Sequence, residues 1–163
     1  MKSDLNINIE PWDADHQKWS ELLEIIDSMK QTDWFFMNAD FHQSSHALVA
    51  LIDGAIAGFL RFTVQEIGPD RDLPAIQLKG ITLTEAKILA FGVITPFQNL
   101  GIGKNLQEHA IKHAKTLGCY QVRSHSGGDA EANHHLKLSL GFGVHPTLKD
   151  DDDPRGVFFV KTL

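Results

Sequence analysis

From Thr84 to Cys119 the sequence reads as an apolar strand, a short connection and an amphipathic helix, and the connection carries glycines where a helix cap belongs. "TEAKILAFGVIT" is a long apolar run ending at Pro96, as a strand in the middle of a sheet would be. The helix opens on Gly101-Ile102-Gly103-Lys104-Asn105 rather than on an ordinary Ser or Asp. A helix N-terminus leaves backbone N–H groups unpaired and carries about half a positive charge. Glycine lets that backbone approach a ligand with no Cβ in the way. Strand, Gly-x-Gly and helix together describe an anion cradle suited to a phosphate or pyrophosphate, with Lys104 adding positive charge at its edge. The plain alternative makes Gly101 a turn residue and Gly103 a relief of packing.

The rest of the chain supplies a sheet around this unit. "LNINIEPW" alternates Leu5, Ile7 and Ile9 with polar residues and predicts a strand. Trp19, Leu22, Leu23, Ile26 and Met29 fall at helical spacing, with Asp13 or Asp15 available as cap. Residues 33–45 form an aromatic-rich connection with room for one helical turn. "HALVALIDGAIAGFLRFTVQEI" is two apolar runs around Asp53-Gly54, which predicts a tight hairpin. "GPDRDLPAIQLKG" is punctuated as a loop or an irregular hairpin end. After the glycine-led helix, "YQVRSHS" predicts a strand and "GGDAEANHHLKLSLG" a short helix stopped by Gly141. "FGVHPTL" and "GVFFVKTL" close as strands around the acidic "KDDDDPRG". This order predicts an α/β (α+β) fold, a mixed, mostly antiparallel sheet flanked by helices, in a single domain over residues 1–163.

Charge and cysteine content narrow the function. Fifteen Lys and Arg against 21 Asp and Glu give a net charge of −6, which argues against nucleic acid as a partner. It suits a cationic or neutral substrate, although solubility alone would produce it. One cysteine, Cys119, allows no internal disulfide and fits a reducing compartment. With no secretory signal pattern and no apolar stretch of about 20 residues, the expectation is a cytoplasmic protein without a membrane partner.

Two phosphate-binding signatures fail. The P-loop pattern lacks its first glycine, because position 98 is Gln, and its Ser/Thr, because position 105 is Asn. The dinucleotide pattern G-x-G-x-x-G meets Leu106 at its third glycine. The segment "FGVITPFQNLGIGKNLQEHAIKHAKTLGC" instead resembles the GNAT acetyltransferase superfamily: Gln98-x-x-Gly101-x-Gly103 is its pyrophosphate loop, with Val93 ahead on the strand and Leu117-Gly118 at the helix end. "DGAIAGFLRF", "YQVRSHS" and "NHHLKLSLGFGVHP" extend the likeness over roughly residues 46–146, with its specific core at 91–103.

The resemblance implies acetyl-CoA as donor and the amine of a small molecule or peptide as acceptor. It implies that the backbone of Gln98, Asn99, Leu100, Gly101, Ile102, Gly103 and Lys104 holds the pyrophosphate. The pantetheine arm would pair with Phe91, Gly92 and Val93, a backbone N–H near Val93 polarising the thioester carbonyl. Gly92 would spare the thioester a crowding side chain, or mark a bulge.

Direct attack by an amine needs a base and an acid for the thiolate. The Tyr that many relatives use as acid is replaced by Lys137, so either the acid is missing or Lys137 takes another task, such as binding a CoA phosphate. A lysine donates a proton near neutrality only where burial lowers its pKa. The family's Asn falls at Ala130, with Asn133 one turn later. Among bases, one branch places a Glu where His125 stands, and imidazole suits neutral pH. Another branch places it at Lys87, with Glu85 on the same strand face and within reach through a water. His109 and His113, at i and i+4, read as a solvated helix face, and no metal site is expected. Trp12, Trp19, Trp34, Phe35 and Phe36 lie where relatives bind acceptors, although core packing is the default for aromatics. The acidic run at 150–153 would attract a cationic acceptor or simply be a solvated loop. A homodimer through a sheet edge is compatible with the resemblance, and a non-catalytic acyl-CoA-binding or regulatory module is the alternative function.

Overall fold

The computed structural model describes residues 5–126, 130–146 and 156–163. Its main sheet has seven strands in the order β1-β2-β3-β6-β7-β9-β8. These are β1 (Ile7–Trp12), β2 (His42–Ile52), β3 (Ala55–Glu66), β6 (Thr84–Val93), β7 (Gln121–Ser126), β8 (Gly143–Pro146) and β9 (Val157–Thr162). Every pairing is antiparallel except β6 with β7. The expected mixed, mostly antiparallel sheet is present. Helices α1 (Trp19–Ser28) and α2 (Thr32–Phe35) cover one face, and α3 (Ile102–Thr116) and α4 (Glu131–Ser139) the other. No helix among the described residues is long and apolar enough to cross a membrane.

Local chemistry explains most turns. Asp53 and Gly54 have φ of 50° and 81°, the two positive values that the tight β2–β3 hairpin requires. Lys79 and Gly80, at 50° and 77°, close a second hairpin in the same way. That hairpin pairs β4 (Gln77–Leu78) with β5 (Ile81–Thr82) apart from the main sheet, giving the Gly- and Pro-punctuated segment a definite form after a 3₁₀ turn at Pro69–Arg71. The expected aspartate cap of α1 is not formed. Its N-cap is Lys18, without a side-chain cap bond, because Asp13 Oδ1 instead accepts the Asp15 N–H at 2.9 Å in a turn of its own.

Alternation along β3 serves both faces at once. Leu60 and Phe62 join Ile88, Leu106 and Ala110 under α3, while Phe59 joins Leu22, Ile26 and Phe35 under α1 and α2. Side chains buried this fully contribute about 1.5–3 kcal/mol each. Cys119 belongs to the α3-side core, where burial raises its thiol pKa. Trp12 and Phe35 are core residues, whereas Trp34 and Phe36 stand exposed near α2.

Two irregularities of β6 build the site. Its register with β3 jumps from Arg61–Ala90 to Phe62–Ile88, so Leu89 bulges out. Ile88 therefore faces α3 while Ala90 faces α1. Second, β6 and β7 pair only from Glu85–Gln121 to Ile88–Ser124. Beyond that point β7 stays with β9 as far as Ser126–Val157, and β6 continues with β3 to Val93. The two parallel strands part, and a gap opens through the sheet.

Candidate active site

The outer part of the gap is a groove of about 600 Å³ in front of α3. Residues 91–93, Gln98, Asn99, 101–104, Asn133 and Leu136 line it. Asn99 and Gly101 both have positive φ, 62° and 85°, which turns the chain sharply into the helix. The N-cap Gly101 makes no side-chain cap bond. The first helical bond runs from the Asn105 N–H to the Gly101 carbonyl at 3.0 Å. The N–H groups of Ile102, Gly103 and Lys104 precede that bond and form the open helix end, the donor set an anion needs. Lys104 adds an exposed ammonium, held 3.9 Å from Glu108. Leu100, of the same loop, is 40% exposed and does not line the groove.

The glycines do separate jobs. Gly101 is required by its left-handed backbone. Gly103 is required by packing, since a Cβ there would sit 3.1 Å from the Phe91 ring and 3.4 Å from Leu136. Gly92 corrects the expectation of a side chain crowding the thioester. A Cβ at Gly92 would meet Met29 Cε at 2.7 Å and the Phe59 ring at 3.0 Å, so the glycine accommodates the α1-side core, and the bulge lies at Leu89 instead.

Deeper in the gap is a cavity of about 170 Å³ that crosses the sheet. From the α3 and α4 side come Gln107, Ser124, Ser126, Asn133 and Lys137; from the α1 side come Gln31, Ala90 and His125. Strand alternation produces this division. Ser124 and Ser126 are buried toward α4, and His125 between them lies on the opposite face, its ring 4.9 Å from Phe158.

Lys137 has no exposed surface. Its Nζ donates to Gln107 Oε1 at 2.9 Å and lies 4.7 Å from the centre of the Phe142 ring. No carboxylate pairs with it among the described residues. Burial lowers its pKa from the ordinary 10.5 to about 7. Two polar atoms here have no partner among the described residues, Gln107 Nε2 and Asn133 Oδ1; Asn133 Nδ2 donates to Ser126 Oγ at 3.0 Å. Unpaired buried polar atoms cost about 1–3 kcal/mol each, and such a cluster in a cavity is what a ligand would satisfy.

Two expected assignments change. Lys137 lines the inner cavity and not the groove of the pyrophosphate loop, so it is not placed to bind a CoA phosphate. Glu85 is absent from both cavities. It lies in the closed stretch of β6, about 13 Å below Leu89 at ~3.3 Å per residue. Its carboxylate accepts from Gln65 Nε2 (3.0 Å), Gln121 Nε2 (2.8 Å), Arg123 Nε (3.0 Å) and Arg123 Nη2 (2.7 Å). With its lone pairs filled by structural partners, Glu85 has no free edge for a catalytic water.

Two residues gave no functional signal in the sequence. Gln107 is a polar residue on the apolar stripe of α3, an irregularity that pattern reading can flag. Gln31 lies in the turn after α1, and nothing in "MKQTD" singles it out. Its Nε2 donates to the Phe91 carbonyl at 2.8 Å, and its Oε1 accepts the Phe91 N–H at 3.0 Å. His109 bonds the Asn105 backbone and His113 packs on His46 and Phe62; no group of three metal-ligating side chains occurs among the described residues. The acidic run at 150–153 lies outside the described residues.

The family model of the acetyltransferase (GNAT) family matches residues 8–142. The chain belongs to that family. Among solved structures, Arabidopsis thaliana NAA60 in complex with acetyl-CoA is similar at 18% identity, with a TM-score of 0.74 over 96% of this chain and 98% of that one. The IAA acetyltransferase from Bacillus cereus is 19% identical, TM-score 0.64, over 96% and 99% of the two chains. A GNAT family acetyltransferase from Elizabethkingia anophelis with acetyl-CoA bound is 20% identical, TM-score 0.62, over 97% and 99%. No curated protein matches the chain.

Proposed function

We propose that this chain, as one catalytic domain, transfers the acetyl group of acetyl-CoA directly to the amine of a small molecule or peptide. The observation that carries the reading is the gap between β6 and β7, with an uncapped helix N-terminus at its mouth and, at its floor, a buried lysine that no carboxylate pairs among the described residues. Bound acetyl-CoA supplies an acetyl thioester that an amine attacks, releasing the thiol. The loop from Gln98 to Lys104 would hold the pyrophosphate, and the edge of β6 from Phe91 to Val93 the pantetheine arm. A backbone N–H of that edge would hold the carbonyl oxygen as charge develops on it.

The two sides of the gap divide the proton transfers. Lys137 faces it from the α4 side, where the thiolate leaves. With a pKa of about 7 its ammonium can give up a proton at neutral pH, which an ordinary exposed lysine does poorly. Gln107 would fix the ammonium in position through its 2.9 Å bond. His125 faces the gap from the other side and would take the proton from the attacking amine. Asn133, which lines both groove and inner cavity, would steady the arm between them. This supply of an acid and a base favours an enzyme over a non-catalytic acyl-CoA-binding module.

The test is release of free thiol from acetyl-CoA in the presence of a panel of primary amines and peptides with free N-termini. Acceptor-dependent release that falls about 100-fold or more in Lys137→Met supports the reading, that being the lower range for a general acid. Acetyl-CoA binding with no release on any acceptor favours the binding module, and absence of binding overturns both.

A further inference from the structure

The edge of β6 beyond Ile88 has lost its β7 partner, yet Phe91 is not bare there: the Gln31 carboxamide takes both its N–H and its carbonyl, at 3.0 Å and 2.8 Å. A carboxamide presents one acceptor oxygen and one N–H donor in a plane, as a neighbouring strand would. Gln31 reaches this position from the turn between α1 and α2, far away in sequence, and lines the inner cavity. Two good hydrogen bonds hold a long, flexible side chain against one backbone unit, on a strand edge otherwise open to ligand.

We propose that Gln31 is an internal stand-in for the donor, occupying the backbone pair of Phe91 until the acetyl-pantetheine arm displaces it. The inference rests on the donor reading above, because it takes Phe91 to be where the arm docks. An N–H engaged by Gln31 Oε1 is not free to receive a thioester oxygen, and a carbonyl engaged by Nε2 is not free to receive a pantetheine amide. Only one of the two can hold Phe91. The Gln31 side chain therefore competes with the arm, and it does not line the groove in which the pyrophosphate would sit.

The competition has a result that a supporting role for Gln31 would not give: removing the side chain strengthens donor binding. Calorimetric titrations would compare wild type, Gln31→Ala and Gln31→Met, each with acetyl-CoA and with adenosine 3′-phosphate 5′-diphosphate, which carries the pyrophosphate but no arm. Gln31→Met keeps the length of the side chain and removes its bonds, and a thermal melt without ligand confirms that each variant is folded. Both variants should bind acetyl-CoA about tenfold more tightly than wild type, the worth of two ordinary hydrogen bonds, and the fragment equally well. Unchanged or weaker acetyl-CoA binding in both folded variants, with fragment binding intact, overturns the proposal and leaves the donor site standing. Failure of wild type to bind either ligand overturns the donor site as well.

Discussion

The two ends of the β6–β7 pair bury charge in opposite ways. At the closed end, Arg123 bonds both Glu85 and Asp70, and Lys87 reaches Asp70 at 3.2 Å. Burial alone would raise the Asp70 pKa and lower that of Arg123, but opposite charges outweigh it: Arg123, then Lys87, moves the Asp70 carboxylate down, and Glu85, then Asp70, moves the guanidinium up. At the open end, Lys137 is fully buried and, among the described residues, has a neutral amide and an aromatic ring for company and no carboxylate. Nothing there offsets the loss of hydration, and its pKa falls to about 7. The closed end thus pairs each buried charge with an opposite one, although Asp70 Oδ1 has no hydrogen-bond partner among the described residues, while the open end leaves its one buried ammonium without a counter-charge there. Mutual charge pairing marks a structural network, and an unpaired charge lining a cavity marks a place for a reactant.

The contrast is sharpest in variants that remove one cation from each end. Lys137→Met keeps volume and discards an unpaired charge, so turnover should drop about 100- to 10,000-fold while urea unfolding at pH 7 shows no loss of stability. Arg123→Met should do the reverse. It leaves two buried carboxylates facing each other and should cost about 3–5 kcal/mol in the same unfolding experiment, with turnover of the remaining folded enzyme within a few-fold of wild type. Equal behaviour of the two variants in both assays would erase the distinction.

Stability against pH separates the ends by sign. Lys137 has a folded pKa below its unfolded one, so between about 7 and 10.5 the unfolded chain binds the extra proton and stability rises with pH. The slope approaches about 1.4 kcal/mol per pH unit within that window and should vanish in Lys137→Met. Asp70 is the opposite case, its pKa lowered in the fold, so its contribution is present at neutral pH and lost as pH falls through the acid range. Denaturant midpoints at a series of pH values read both limbs. The smallest effect belongs to the loop. Gly101→Ala places a Cβ at φ 85° with only Asn105 Nδ2 nearby at 3.9 Å, so it should lower stability by about 1–2 kcal/mol through backbone strain. A loss of that size in a thermal melt, without a large change in acetyl-CoA affinity, would assign Gly101 to the turn rather than to ligand contact.

The sequence makes the two ends unequally legible. Element order, the Asp53-Gly54 hairpin and the glycine-led helix follow from local chemistry, which neighbouring residues state on their own. The separation of β6 from β7 does not, because it arises where β7 follows β9 and leaves β6, a choice made by partners distant in the chain. Glu85 is therefore readable as a base on a strand face, while the arginine that occupies it sits 38 residues away. The position of Lys137 is legible through the family resemblance, but its burial against α3 depends on tertiary packing. Gln31 was invisible for the same reason: its meaning is a contact with Phe91, 60 residues on.

The most direct test is titration of Lys137 itself, by ¹³C NMR of its ε-carbon in lysine-labelled protein, with Lys137→Met assigning the resonance. A midpoint near 7 is expected for a buried ammonium without a counterion, poised to serve the open end of the strands. A midpoint at the ordinary 10.5 would mean that Lys137 is solvated or paired, and the division between a charge-paired and an unpaired end would be lost.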